Sequence, residues 1–187
     1  MGKNRDVLIL VEAAIFAAAA MALSMIPLDI GTVLWVSLGT IPLTIISIKR
    51  GLKVGLIAGF IWGLLHFVMG KVYYLGAVQA IVEYLVSFTF AGFAGLLMMK
   101  FQADKQDRIK TIVVACFVGT FARFFWNFIA GVIYWGSYAP EGWSPLVYSL
   151  AVNGGSALVT SILCSIALVI IYRAVPKIFE VESEQAI

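Results

Sequence analysis

Six apolar stretches, separated by charges, prolines and loop residues, dominate this sequence. Each approaches the roughly 20 helical residues that are needed to cross about 30 Å of hydrocarbon. Hydrophobic residues make up 62% of the 187-residue chain, against about 45–50% in soluble domains. The pattern predicts an all-α integral membrane protein, 1–187, in which one domain contains six transmembrane helices. The predicted spans are approximately residues 7–26, 33–48, 52–69, 75–99, 110–134 and 147–172. Pro42 in the short second span predicts a tilted or irregular helix there.

Basic residues are distributed unevenly among the loops that join these spans. One side of the membrane holds only Lys71, and the other side holds most of the lysines and arginines. These are Lys3, Arg5, Lys49, Arg50, Lys53, Lys100, Lys105, Arg108, Lys110, Arg173 and Lys177. Because cytoplasmic loops carry an excess of Lys and Arg, both termini are predicted to be cytoplasmic. The loops that contain Asp29, Lys71 and residues 135–145 are then predicted to face outward.

The remaining composition argues against several classes of function. The net charge is only +3 and no basic stripe follows any predicted helix face, so no nucleic-acid partner is expected. Ser156 and His66 form the one hydrolase-like pair, but they lack an oxyanion site, and no His, Cys or carboxylate cluster has the spacing of metal ligands. No enzyme activity, cofactor or metal is therefore predicted. The chain also lacks a phosphate-binding loop for ATP.

Small residues recur at helical spacing in two spans. Gly51, Gly55, Gly59 and Gly63 step by four and predict close packing against another helix of the same bundle. In the first span three alanines repeat this spacing, and they are Ala14, Ala18 and Ala22. This alanine row predicts either a docking surface for a partner helix or internal packing, and the spacing alone leaves both interpretations open.

Three polar residues are predicted to lie at a similar depth inside the membrane. At 1.5 Å per helical residue, Glu83 and Asn127 lie roughly 12 Å below the outer surface, and Asn153 lies roughly 9 Å below it. Ionisable groups at membrane depth indicate a functional site by default. The three side chains therefore predict one polar site near the outer surface.

The fifth span gives this site a predicted wall. Arg123, Asn127, Gly131 and Trp135 step by four and so share one helix face. Several aromatic residues, Trp135 and Tyr148 among them, lie at the same level, where an interfacial aromatic belt is the alternative interpretation. A carboxylate beside aromatic rings suits a planar cationic ligand through stacking and cation–π attraction. We therefore predict a site for such a ligand, with Glu83 as the counter-charge.

Three segments carry a resemblance to a known family. They read "IKRGLKVGLIAGFIWGLLHFVMGKVYYL", "QAIVEYLVSF" and "NFIAGVIYWGSYAPEGWSPLVYSLAVNG". Nearly the whole chain resembles the thiamine-specific S components of bacterial energy-coupling factor (ECF) transporters. The resemblance implies a six-helix protein with the S-component fold, in the bacterial cell membrane, that takes up thiamine from outside. It implies docking on a transmembrane T component with two ATPase subunits, which use the ATP, and it assigns that docking to the alanine row.

The resemblance also assigns ligand-contacting positions. It places five residues at positions that contact the ligand and two more as their neighbours. The five are Glu83, Tyr84, Trp135, Tyr148 and Asn153, and the neighbours are Tyr73 and Gly131. The implied roles are stacking by Trp135, hydrogen bonding or charge neutralisation by Glu83, and hydrogen bonding of polar edges by Tyr148 and Asn153.

Two positions depart from the family pattern. Asn127 stands where a histidine is expected, and Trp35 is the nearest match to a tryptophan of the first outer loop. Both are kept as predicted substrate-binding residues. Two alternatives remain for the function: an S component for another vitamin or a thiamine precursor, and a proton-coupled secondary transporter of aromatic cations that uses Glu83.

Overall fold

The computed structural model describes residues 2–30 and 34–181. Within these residues almost every element is helical, which confirms the predicted all-α class. Six helical segments follow the predicted spans, and they are α1 (Gly2–Ser24), α2 (Thr40–Arg50), α3 (Leu52–Val68), α4 (Ala77–Ala103), α5 (Arg108–Tyr134) and α6 (Pro145–Ala174). Two antiparallel strands of two residues each, β1 (Asp29–Ile30) and β2 (Leu34–Trp35), pair as a hairpin between α1 and α2. Short 3₁₀ turns lie at Gly136–Tyr138 and Pro176–Phe179.

Not every helix is long enough to cross a membrane independently. By length and composition four described helices can do so, namely α1, α4, α5 and α6, whereas the apolar α3 has 17 residues. A chain with several such helices is a membrane protein. The shortest of the six helices is α2. It has 11 residues, and all residues from Thr40 to Ile48 are buried. This helix therefore lies inside the bundle, surrounded by the longer helices.

The predicted second span, 33–48, is wrong in its first half. Leu34 and Trp35 form a strand, and the helix begins only at Thr40, after Gly39. Pro42 lies in the first turn of this helix, where its missing N–H removes no hydrogen bond within the helix. The proline therefore marks the beginning of a short helix and does not distort a long one.

The glycines of α3 bring its backbone directly against α4. A Cβ atom on Gly55 would lie 2.7 Å from the carbonyl oxygen of Gly92, and Cβ atoms on Gly59 and Gly63 would overlap the carbonyl oxygens of Phe88 and Tyr84. No larger side chain fits at these contacts. The predicted internal use of the glycine row is confirmed, and the row sets the distance between α3 and the part of α4 that carries Glu83.

The alanines of α1 divide into two faces. Ala13, Ala17 and Ala20 have no exposed surface and pack inside the bundle. Ala14, Ala18 and Ala22, the predicted docking row, lie on an adjacent face of the helix and are exposed. Internal packing therefore uses the neighbouring row of alanines, and the predicted docking row is left uncovered by the described residues.

Charged groups pair across helices at the end of the bundle where α1 begins and α2 ends. Glu12 of α1 contacts Lys49 and Arg50 of α2, each at 2.6 Å. Arg108 at the start of α5 pairs with Glu180 after α6. Since α1, α3 and α5 begin at this end and α2, α4 and α6 finish there, the clustered basic residues of the sequence meet on one side of the molecule.

Candidate functional site

A cavity of about 620 Å³ opens at the opposite end of the bundle, below the hairpin. Its walls come from the ends of α1, α3, α4, α5 and α6 and from the segment that follows α3. All nine residues predicted to bind substrate line it: Trp35, Tyr73, Glu83, Tyr84, Asn127, Gly131, Trp135, Tyr148 and Asn153. The structure thus brings the predicted set together in one cavity. Contact with a ligand remains a prediction for each of them.

Two π-helical turns place site residues in this cavity. Ile81–Val86 in α4 contains Glu83 and Tyr84, and Leu150–Gly154 in α6 contains Asn153. A π turn inserts one residue into a helix and is frequent at functional sites. The wider turn in α4 allows the adjacent Glu83 and Tyr84 both to line the cavity.

The Glu83 carboxylate is held by neutral hydrogen-bond donors. Trp135 Nε1 donates to Glu83 Oε1 at 2.6 Å, and Gln79 Nε2 donates to Glu83 Oε2. No Lys or Arg lies within ion-pair distance of Glu83 among the described residues. The carboxylate is oriented by the protein, but its charge has no paired cation there. A ligand can supply that cation.

Aromatic rings surround the Glu83–Trp135 pair. The Tyr73 and Trp135 ring centroids lie 5.0 Å apart, and Tyr138 lies 5.4 Å from Trp135 on another side. The Tyr73 backbone N–H donates to Tyr84 Oη at 2.9 Å, which ties the segment after α3 to α4. A flat ligand in the cavity therefore meets ring faces as well as a carboxylate.

Arg123 and Asn127 form a polar part of the cavity wall on α5. The Arg123 guanidinium donates to Ser37 Oγ at 2.5 Å and lies 4.0 Å from the centre of the Phe88 ring. Within the described residues, the buried Arg123 Nε and Asn127 Oδ1 have no hydrogen-bond partner. Both atoms have almost no accessible surface, although both residues line the cavity.

Gly131 provides space between α5 and α6. A Cβ atom at this position would overlap Ser149 Oγ and would lie 2.8 Å from Asn153 Nδ2. Asn153 Nδ2 donates to Ser149 Oγ at 3.1 Å, and Ser149 Oγ in turn donates to the Phe128 carbonyl at 2.7 Å. These bonds leave the Asn153 side-chain oxygen available to a ligand that lines up beside Gly131.

Trp35 of β2 lines the cavity, and the segment that contains it is anchored on α6. The Trp35 N–H donates to Ser156 Oγ at 3.1 Å, and the Ser37 N–H donates to Thr160 Oγ1 at 3.2 Å. These bonds join positions more than 120 residues apart. They hold Trp35 at the mouth, where half of its surface is exposed.

Several residues of this cavity were not predicted from the sequence as site residues. One of them is His66. It is buried, its Nδ1 bonds with the Trp62 carbonyl at 2.9 Å, and it also lines the cavity. Ser37 and Lys71 line the cavity too, and no local sequence pattern identifies them.

The most informative omission is Gln79. It is fully buried and bonds both to Glu83 and to the segment after α3. Its Nε2 donates to Glu83 and, at 3.1 Å, to the Tyr73 carbonyl. Its Oε1 accepts from the Leu75 N–H at 3.0 Å. A glutamine four residues before a glutamate on a helix was the available sequence signal. Gln79 positions both the carboxylate and the segment that crosses the mouth.

We expect Gln79→Met to weaken ligand binding without removing the fold. Methionine has a similar length and keeps the packing, but it makes none of the three hydrogen bonds. The expected loss is about 1–2 kcal/mol, or roughly five- to thirtyfold in Kd. Titration of the purified variant measures this loss. The matched control is Gln102→Met, at an exposed position near the other end of α4; equal affinities of both variants would contradict the positioning role.

Comparisons with known proteins assign the chain to a family. A family model described as "Thiamine transporter protein (Thia_YuaJ)" matches residues 10–180. The chain is 37% identical to thiamine transporter ThiT of Lacticaseibacillus paracasei over 96% of this chain and 94% of that relative. It is 28% identical to thiamine transporter ThiT of Bacillus subtilis over 96% of this chain and 98% of that relative.

A solved structure agrees with the sequence relatives. The structure of ThiT from Listeria monocytogenes superposes with a TM-score of 0.88 at 41% identity, and the match covers 95% of this chain and 100% of that one. The fold, the family model and the curated relatives therefore point to the same assignment. This chain belongs to the thiamine transporter family.

Proposed function

We propose that this chain binds thiamine in the cavity and takes it up as the S component of an ECF transporter. The observation that carries the proposal is the Glu83 carboxylate, which Trp135 and Gln79 orient and which has no paired cation among the described residues. Thiamine brings a flat thiazolium cation to this carboxylate and to the indole ring. Charge attraction, stacking and cation–π attraction then act on one ring.

Electrostatics also sets the direction of the ligand. The Arg123 guanidinium lines the cavity and repels the thiazolium, whereas it can donate to a ring nitrogen that accepts a hydrogen bond. The side-chain amide of Asn127, which also lines the cavity, suits the amino group of the pyrimidine. The neutral aminopyrimidine therefore lies near Arg123 and Asn127, and the thiazolium lies near Glu83 and Trp135.

The transport step is assigned to partner subunits. The exposed row of Ala14, Ala18 and Ala22 supports close approach of a helix from a T component. Two cytoplasmic ATPase subunits would supply the energy, because this chain has no phosphate-binding loop of its own. The positive-inside distribution supports a cavity that opens to the outside of a bacterial cell membrane.

The alternatives fit the cavity less well. An anionic vitamin such as biotin or pantothenate would place its carboxylate near the unpaired Glu83. A pyrimidine precursor of thiamine would reach Arg123 and Asn127 but would leave the carboxylate without a cation. A proton-coupled exporter of aromatic cations would use the same Glu83, and transport measurements distinguish it from an S component.

The distinguishing experiment uses liposomes that contain this chain alone or this chain with the T component and both ATPases. We expect the chain alone to bind radiolabelled thiamine but not to accumulate it, with or without a pH gradient. Accumulation should require the complete complex, with ATP supplied on the side of the membrane that carries the ATPase subunits. Accumulation by the chain alone under a pH gradient would instead favour the proton-coupled transporter.

A further inference from the structure

A charged group that the cavity does not use lies inside the membrane span of α1. Glu12 is eight residues beyond Asn4, where the apolar span begins, and so lies about 12 Å along the helix. Its carboxylate contacts Lys49 Nζ and Arg50 Nε of α2, each at 2.6 Å, and only 19% of its side chain is exposed. A largely buried ion pair is weak evidence of added stability, because removing two charges from water can cost more than their attraction returns. The best-attested role of such a group is to select one arrangement of packed helices.

The packing of α1 specifies its rotation only weakly. The helix carries two adjacent rows of alanine: Ala13 and Ala17 face the bundle with no exposed surface, whereas Ala14 and Ala18 are exposed. A rotation by one residue, about 100°, with a shift of about 1.5 Å would bring the second row to the place where the first row packs. Phe16 packs against the buried core and favours the observed orientation. The two alanine rows do not distinguish the orientations, because they consist of the same small side chain.

Polar contacts at the two ends of α1 do distinguish the two orientations. At the outer end, Trp62 Nε1 donates to Ser24 Oγ at 3.1 Å. Toward the other end, the rotation would carry the Glu12 carboxylate away from Lys49 and Arg50 and would break both ion pairs. Breaking a largely buried ion pair costs more than losing one neutral hydrogen bond. Glu12 is therefore the stronger of the two constraints on the rotation of α1.

We propose that Glu12 is a positioning residue for docking: its ion pairs with α2 fix the rotation of α1, so that the row of Ala14, Ala18 and Ala22 is the one presented to a partner helix. The inference rests on the proposed function, since it takes this exposed row as the docking surface. Glu12 is not among the residues that line the cavity. A change at Glu12 should therefore act on uptake and leave thiamine binding unaffected.

The test measures thiamine Kd on the purified chain and thiamine uptake in liposomes that contain the complete complex. Glu12→Gln keeps the shape of the side chain and removes its charge, and we expect uptake to fall about five- to twentyfold while Kd stays within about twofold. Glu12→Lys and Lys49→Glu should each lower uptake as well. The double variant restores an ion pair of reversed sign and should recover uptake to within about threefold of the parent.

The matched control is Glu180→Gln. It breaks the ion pair with Arg108, which lies at the same end of the bundle but does not involve α1. Glu180 is also more exposed than Glu12. Uptake and thiamine Kd of this variant should both stay within about twofold of the parent.

The rotation of α1 also has a direct readout. Leu8 on α1 and Ile166 on α6 are exposed, and nitroxide labels on cysteines at these positions report the distance between the two helices. The native cysteines, Cys116 and Cys164, are buried and should not react. We expect one distance population in the labelled parent and a second population in labelled Glu12→Gln, because a rotation of about 100° carries the Leu8 label to another side of α1. A helix that is merely destabilised would broaden the single population instead.

Each other outcome has a definite meaning. Uptake by Glu12→Gln within about twofold of the parent overturns the inference, and so does a distance distribution without a second population. Weakened thiamine binding in Glu12→Gln assigns the residue to the general stability of the chain and overturns it as well. A double variant that is no better than its single variants rejects the ion pair as the cause. Normal uptake by Ala18→Trp contradicts the proposed docking surface itself, and this inference with it, whereas loss of uptake in Ala18→Trp with normal uptake in Glu12→Gln contradicts this inference alone.

Discussion

Replacing Trp135 with alanine is expected to weaken thiamine binding by about 2–3 kcal/mol, or roughly 30- to 150-fold in Kd. The substitution removes the ring that contacts Tyr73 and Tyr138, and it also removes the Nε1 donor to Glu83. Trp135→Phe keeps a ring without the donor and should lie between the parent and Trp135→Ala. Equilibrium titration of the purified proteins measures these differences.

The matched control and the partner residue make this prediction specific. Trp143→Ala removes an exposed tryptophan of the same loop region, 48% of whose surface is accessible, and it should change Kd by less than about twofold.

Glu83→Gln keeps the shape of the side chain and removes its charge, with an expected loss of about 1.5–3 kcal/mol of binding free energy. The losses at Trp135 and Glu83 should not be fully additive, because their side chains are hydrogen-bonded to each other. Single variants that both bind as the parent does would contradict the site.

Replacing Ala18 with tryptophan is expected to abolish thiamine uptake while leaving thiamine binding within about twofold of the parent. Ala18 is exposed on α1, on a face adjacent to that of the fully buried Ala17. A large ring there does not disturb the core of this chain, but it prevents a partner helix from approaching closely. Ala14→Trp should behave in the same way. Uptake is measured in liposomes that contain the complete complex, and binding is measured on the purified chain.

An exposed apolar position on another helix supplies the control for Ala18. Ile166 of α6 is 54% exposed, and Ile166→Trp should leave both binding and uptake near those of the parent. The difference between the two variants separates docking from a general effect of a large ring on membrane insertion. Normal uptake by Ala18→Trp would show that the alanine row is not the docking surface.

Much of the site was predictable because its residues follow the helical period. Arg123, Asn127, Gly131 and Trp135 step by four, and all four line the cavity. Glu83 and Asn153 were identified by another rule, since polar groups at membrane depth are rare without a function. These inferences need only a helix and its depth, which hydropathy and charge provide.

The remaining features depend on contacts between distant parts of the chain. The hairpin strand at Leu34–Trp35 is anchored by Ser156 and Thr160 on α6, so the apolar run at 33–48 looks like a membrane helix until its partners are known. The π turns arise within apolar helices, one of which also contains a 3₁₀ segment at Ala91–Leu97, and no residue pattern marks them. Ser37 is placed at the cavity by long-range bonds, since its N–H donates to Thr160 and its hydroxyl accepts from Arg123, which is 86 residues away.

The central claim is that this cavity binds thiamine, and calorimetric titration of the purified chain tests it most directly. We predict saturable binding of one thiamine per chain, with quenching of tryptophan fluorescence and no binding of biotin or pantothenate. Both signals should be strongly reduced in the Trp135→Ala, Glu83→Gln double variant. Absence of saturable thiamine binding up to about 1 mM, a concentration that corresponds to about 4 kcal/mol, would contradict the account, and so would equal affinity of the parent and the double variant.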